Sequence, residues 1–202
     1  CNQACLDHVF NGQLTSCLVN PRACYELDLN IEVSETKKNI AVIGAGPAGL
    51  AAAVTAAQRG HNVSLFDSAE TIGGQFNLAK RIPGKEEFNE TIRYFQRQLE
   101  IHNIDVKLGQ RVTTQQLNES NFDEVMIATG IAPRTPEIDG IDHPSVVSYI
   151  DVISGKIELG KKVAVIGAGG IGFDVAEYLS HAGEASSQNI PAFMKEWGID
   201  MT

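Results

Sequence analysis

Apolar residues along this chain fall in short blocks of differing period. Ile40-Ala41-Val42-Ile43 is a continuous apolar run of strand length closed by Gly44, and it reads as a buried parallel strand. Residues 50–59 are alanine-rich, suited to close packing on a sheet, and Gly60 stops the helix expected there. Residues 61–67 read as a second strand ending in Asp67. Residues 86–101 carry a helical stripe instead: Phe88, Ile92, Phe95 and Leu99 recur at i, i+4, i+7 and i+11, and these side chains are expected in the core. Short strands are expected over 104–108 and 124–128.

The chain has one internal echo. Val163-Ala164-Val165-Ile166-Gly167-Ala168-Gly169 repeats the run from Ile40 to Gly46, and a helix is expected over 171–179. Residues 181–200 then break the pattern where a second strand should come, which marks an insertion with Trp197 as its expected anchor. Pro136 to Pro144 is a turn-rich crossing and a natural boundary. Tyr25 to Thr36 carries Glu26, Asp28, Glu32 and Glu35 without helical period and reads as an extended, solvated connection. Three parts result: a cysteine segment and linker (1–36), a first nucleotide domain (37–150) and the start of a second (151–202).

Composition narrows the class. Of 202 residues, 43% are hydrophobic and 20% charged, which fits a globular chain. A net charge of −9 argues against nucleic-acid binding and gives no sign of a basic membrane-binding face. No apolar run approaches the roughly 20 residues that cross a bilayer. The chain begins with cysteine and shows no signal peptide, so both ends are expected to be cuts through a longer, cytoplasmic protein.

The chemistry begins at the first glycine run. In Gly44-Ala45-Gly46-Pro47-Ala48-Gly49, Gly44 permits the sharp turn, Gly46 lets a pyrophosphate approach the backbone, and Gly49 lets the helix pack on the strand. The helix N-terminus then offers free amides to phosphates. Asp67 stands where a dinucleotide fold places the carboxylate for an adenosine ribose; it disfavours a 2′-phosphate and so suits FAD or NAD, the alternative being a simple turn cap. Gly167, Gly169, Gly170, Ile171 and Gly172 form the second fingerprint, so two nucleotides are implied, with hydride transfer from a nicotinamide dinucleotide to a flavin as the usual use.

All four cysteines, Cys1, Cys5, Cys17 and Cys24, lie in the first 24 residues. Such clustering suggests a metal or cluster site or a local disulfide, against inert buried thiols. Cys24 is read as a buried small hydrophobe. The five histidines share no ligand spacing, and no catalytic triad or carboxylate pair stands out, so no residue is assigned a catalytic role.

Here a resemblance enters. Cys1-Asn2-Gln3-Ala4-Cys5 followed by Cys17-Leu18-Val19-Asn20-Pro21 resembles the iron–sulfur segment of the bacterial, multi-cofactor 2,4-dienoyl-CoA reductase family, related to trimethylamine dehydrogenase and the old yellow enzyme-like multidomain proteins. The resemblance implies a 4Fe-4S cluster with Cys1, Cys5 and Cys17 as its second, third and fourth ligands, the first lying upstream. Ala128-Thr129-Gly130 with Pro133-Arg134 is similar to the second FAD fingerprint of the glutathione-reductase-like flavoproteins, and Gly73-Gly74-Gln75 to the glycine pair that runs under their pyrophosphate. It further implies Val112 as a backbone partner of adenine. Lys80, Arg81 and Lys85 surround Pro83-Gly84, where a cation, Lys85 the candidate, could reach a phosphate or flavin edge, the alternative being solvated surface charge. The residues from Glu184 to Asp200 look like the family's own insertion.

The fold class implied is α/β, with two Rossmann-like dinucleotide-binding domains of the glutathione-reductase-like flavoprotein type. The second domain is truncated, and an iron–sulfur cysteine segment precedes the pair. The function implied is the electron-transfer portion of a 2,4-dienoyl-CoA reductase in unsaturated fatty acid β-oxidation. Electrons pass from NADPH to FAD, the 4Fe-4S cluster and FMN, with FMN and the acyl-CoA substrate in an upstream barrel and no obligate protein partner. A dehydrogenase of the trimethylamine dehydrogenase type and a stand-alone nucleotide-binding electron-transfer module are the alternatives. Alone, the chain is expected to be poorly stable, with unpaired sheet edges and open cores.

Overall fold

A computed structural model of the chain describes residues 3–17, 19–181 and 185–201. Its centre is a four-stranded parallel sheet in the order β3-β2-β1-β4. The strands are β1 (Asn39–Ile43), β2 (Asn62–Phe66), β3 (Asp105–Lys107) and β4 (Glu124–Ile127). The register aligns Ile43 with Phe66 on one side and with Ile127 on the other. Three carboxyl ends therefore stand level, at the point where the chain order reverses between β1 and its two neighbours. In an open parallel sheet this is where ligands bind.

The central run is buried as its continuous apolar pattern demands: Ile40, Ala41 and Val42 are essentially sealed from solvent. Helix α2 (Pro47–Gln58) covers them with Leu50, Ala53 and Val54, and stops at Arg59 and Gly60, whose φ of +89° suits glycine. Helix α4 (Phe88–Ile101) adds Leu99 and Phe95 to the same core. The rest of its stripe is only half-buried; Phe88 instead meets Phe76 of the short α3 (Phe76–Ala79), ring centroids 4.5 Å apart. A second small core joins Ile82, Ile153 and Val175, and so ties the segment after α3 to α6 (Tyr149–Ile153) and α7 (Gly170–Ser180). Helix α5 (Thr114–Asn118) starts from a capping box of Thr113 and Gln116.

Several expectations are corrected. No strand forms over residues 163–166, where Val163, Val165 and Ile166 are exposed. A parallel strand needs a hydrogen-bonded neighbour, and none of the four strands runs beside this one. Strand β4 is present, but Ile127 is 79% exposed because β4 pairs only with β1. Residues 3–10 are helical, forming α1 (Gln3–Phe10), which no periodicity announced. Cys24 is exposed, not buried: it sits in a turn with φ +67°, its N–H donating to Glu26 at 3.2 Å. Residues 25–29 form a hydrogen-bonded turn before the chain extends to Ser34, which donates to Arg59.

In the insertion, a 3₁₀ turn (Ser186–Gln188) precedes α8 (Ile190–Glu196), capped by the Asn189 side chain. Trp197 is 67% exposed and packs on Phe193, so it does not anchor the insertion in the core; Ser187 donates a hydrogen bond to Glu86. Glu184 lies outside the described residues. No helix among the described residues is long and apolar enough to cross a membrane.

Candidate functional site

At the end of β1 the chain turns at Gly44, whose φ of +111° excludes ordinary side chains. Its N–H donates to Phe66 O at 2.7 Å, and a Cβ there would collide with the Ala128 carbonyl of the strand on the other side. A Cβ on Gly49 would run into the Gly44 carbonyl, so the helix lies against its own turn only because Gly49 is bare. Gly46 is different. A Cβ there would meet nothing nearer than Gly74 Cα at 4.0 Å, which leaves the approach to the turn open. Gly46 is also the N-cap of α2 and Pro47 opens the helix, so the first-turn amides of Ala48 and Gly49 have no acceptor within the helix.

Three other stretches close on this turn. Asp67 accepts from Ala45 N–H at 2.6 Å through Oδ2 and from Ala69 N–H at 2.8 Å through Oδ1. The turn-cap role is thus real, and each oxygen keeps a second lone pair for another donor. Gly73 N–H donates to Ala45 O at 2.8 Å, and Gly74, with φ +52°, lies so close that a Cβ would come within 2.9 Å of Gly46 Cα. This docking puts the Gly74 and Gln75 backbone beside the glycine turn. Beyond β4, Ala128 N–H still pairs with Ile43 O, and Thr129 and Gly130 follow at the same end of the sheet, Gly130 with φ +76°. Val112 stands by a cavity of about 450 Å³ that Phe66, Phe122, Lys107 and Gln116 also line, the Lys107 ammonium 5.1 Å from the Phe66 ring centre.

The second glycine run repeats the first locally. Gly167 has φ +117°, a Cβ on Gly172 would strike the Gly167 carbonyl, and Gly169 caps α7 while accepting from Phe173 N–H at 3.1 Å. Gly170 and Ile171 lie in the first turn of that helix. The turn and helix end keep this shape although residues 163–166 are unpaired, because glycine sterics within the loop set them.

Lys85 pairs with the helix of the second glycine run. Its Nζ is held by both oxygens of Asp174 on α7, at 2.6 and 2.7 Å. Sequence reading missed Asp174, since a charge pair so distant in sequence has no spacing signal. Arg81, another of the cations around Pro83-Gly84, donates through Nη1 to Ile153 O at 2.9 Å.

In the cysteine segment, Cys5 and Cys17 are half-buried free thiols, and Thr15 Oγ1 donates to Cys5 O at 3.2 Å, folding the loop back onto α1. Asn20 N–H donates to Cys17 Sγ at 3.4 Å. The amides of Asn20, then Val19, hold the Cys17 thiol below its ordinary pKa. A thiolate already met by backbone donors fits iron–sulfur ligation. Cys1 lies outside the described residues, and among those described no three ligating side chains converge.

A parallel α/β sheet with two glycine-turn helices is a Rossmann-like flavoprotein fold. The chain belongs to the pyridine nucleotide-disulphide oxidoreductase family, whose model matches residues 38–193. It is 35% identical over 183 residues to a bilirubin reductase of Mediterraneibacter gnavus, covering 91% of this chain and 28% of that protein. It is 33% identical over 198 residues to a metal reductase of Desulforamulus reducens, covering 96% and 30%. Among solved structures, a 2-naphthoyl-CoA reductase in complex with 2-naphthoyl-CoA superposes with a TM-score of 0.85 at 38% identity, over 89% of this chain and 27% of that one. The chain thus spans under a third of the length of each of these relatives.

Proposed function

We propose that this chain is the electron-transfer portion of an NADPH-dependent flavin and iron–sulfur enzyme that reduces an unsaturated acyl-CoA, with 2,4-dienoyl-CoA as substrate. The observation that carries the reading is the junction of Gly46 and Gly74. Two separate segments meet backbone to backbone there, Gly74 so close that it has no room for a Cβ, while the space over Gly46 stays open. That cradle fits the pyrophosphate of FAD, with the Ala48 and Gly49 amides facing its negative charge. Asp67 would hold the ribose, the Val112 backbone the adenine edge, and Gln75, Thr129 and Gly130 the flavin side. The bare Gly169-Gly170 end of α7 would take the nicotinamide dinucleotide. Cys1, Cys5 and Cys17 would hold the cluster.

When bound, the nicotinamide supplies two electrons as hydride, the flavin divides them, and the cluster relays them singly. The chain's own residues bind and orient: the two glycine turns would fix where each nucleotide lies, and the amides of Asn20 and Val19 favour the thiolate form of Cys17. FMN and the acyl-CoA pocket belong to an upstream barrel in this reading. The 2-naphthoyl-CoA reductase, a structural relative that acts on a conjugated acyl thioester by its name, supports the substrate class. A cytoplasmic location follows from the need to keep Cys5 and Cys17 reduced.

The test is to purify the complete gene product without oxygen and measure flavin, iron and turnover. The expected content is one FAD, one FMN and about four irons per chain, the count of a single cubane cluster. Reduction by NADPH, followed by consumption of a 2,4-dienoyl-CoA, completes the support. Zinc without flavin overturns the class. Oxidation of trimethylamine with no acyl-CoA turnover overturns the substrate.

A further inference from the structure

The segment that follows α2 and β2 touches the first glycine run and the helix that carries the second. At its start, Gly73 and Gly74 dock on the first turn through the Ala45 carbonyl and the Gly46 backbone. Its middle buries Ile82 almost completely, against Ile153 and Val175. At its end, Lys85 grips both oxygens of Asp174, one residue before Val175 on α7. Arg81 adds a bond to the Ile153 carbonyl. These contacts hold α7 against the segment that follows the first glycine turn.

We infer that residues 73–85 are a strut that fixes the second glycine helix relative to the first glycine turn, with Lys85 and Asp174 as its clamp and as positioning residues for hydride transfer. The inference rests on the reading that the two turns hold a flavin and a nicotinamide. The hydride carries two electrons and one proton from reduced nicotinamide to oxidised flavin, so no further co-reactant enters. Transfer of this kind is steep in distance, and a displacement of about 1 Å lowers a rate by up to about a hundredfold. The clamp side chains are 39% and 31% exposed, so the pair adds little to folding. Its bidentate grip instead selects one orientation of α7. Lys85 serves the cofactors through Asp174 and does not bind one itself.

The experiment uses the complete, flavin-loaded protein with Lys85→Met, Asp174→Asn and the exchanged pair Lys85→Asp/Asp174→Lys. Anaerobic stopped-flow reads the limiting rate of flavin reduction and the nicotinamide dissociation constant separately. Either single substitution is expected to lower the limiting rate about tenfold with flavin content unchanged, since misalignment of well under 1 Å suffices. The exchanged pair recovers most of that loss. Unaltered rates in both single variants overturn the inference, and so does loss of bound flavin in Lys85→Met alone, which assigns the ammonium to the cofactor.

Hydrogen–deuterium exchange supplies a readout that needs no electron transfer. Residues 78–85 and 170–180 are expected to lose protection together in either variant while β1 stays protected, and unchanged exchange overturns the strut. Should the unsubstituted protein hold no flavin, or hold one that neither nicotinamide reduces, the proposed function fails while the exchange data still decide the strut.

Discussion

Gly49→Ala and Gly46→Ala separate the two jobs that one glycine turn performs. At Gly49 a methyl group would overlap the Gly44 carbonyl, a backbone atom held in turn by the Gly44 N–H bond to Phe66 O. Neither side yields easily, so α2 must move off β1, where Leu50 and Ala53 are sealed in the core. Overpacking of this kind costs about 1–3 kcal/mol, and a backbone obstacle puts it at the upper end. Alanine regains up to about 1 kcal/mol of helix propensity. The net expected loss is therefore about 2 kcal/mol. At Gly46 the added methyl meets only open space and the φ of −76° is ordinary, so the cost is about that of a poorer N-cap, well under 1 kcal/mol relative to glycine. In the proposed function, though, that methyl would stand in the pyrophosphate's path. Denaturant titration should thus show Gly49→Ala destabilised and Gly46→Ala near wild type, while equilibrium dialysis with FAD should show Gly46→Ala with at least tenfold weaker binding. If the stabilities rank the other way, or Gly46→Ala binds FAD normally, the steric assignment of the two glycines is wrong.

Asp67→Ala removes the acceptor for the Ala45 and Ala69 amides, and should cost on the order of 2 kcal/mol in a melt together with the FAD affinity, since bonds to a charged acceptor are worth about 1.5–3 kcal/mol each and this group is partly solvated. Ile82→Ala should cost about 2–3 kcal/mol, the lower end of the range for emptying a buried isoleucine, because the second core is small. Alkylation of Cys17 followed by mass spectrometry should inflect below the ordinary thiol pKa, and Asn20→Pro, which deletes the leading donor, should move the inflection upward. The same shift means that the Cys17 thiolate stabilises the fold fully above the ordinary thiol pKa and loses that contribution as pH falls through the lowered value. The hydrogen bond that Lys38 Nζ donates to Glu124, then that carboxylate's charge, raises the Lys38 pKa, so the pair's contribution is present below the ordinary lysine value and disappears only as pH rises through the raised one; Glu124→Gln should leave melts at pH 6 and 8 nearly unchanged.

What was legible in the residues was what neighbours in sequence enforce. The glycine turns, the apolar run of β1 and the stop at Gly60 are local steric facts, and each appears where the pattern puts it. Asp67 follows the second strand, where the pattern put it, although its two backbone partners came to light only with the fold. Pairing depends on distant chain, so the unpaired state of residues 163–166 and the bare face of β4 left no trace in their apolar sequence. The clamp of Lys85 on Asp174 was invisible for the same reason. Helix α1 escaped because Gln3–Phe10 mixes polar and apolar positions without a clean stripe. Cys24 was misjudged because burial habits of cysteine say nothing about a left-handed turn.

The second glycine turn keeps the shape of the first although none of the four described strands pairs with residues 163–166. The bare Gly172 lies against the Gly167 carbonyl of its own loop, so the shape is a short-range property. A substitution elsewhere in the chain can therefore move this helix end without changing the turn itself.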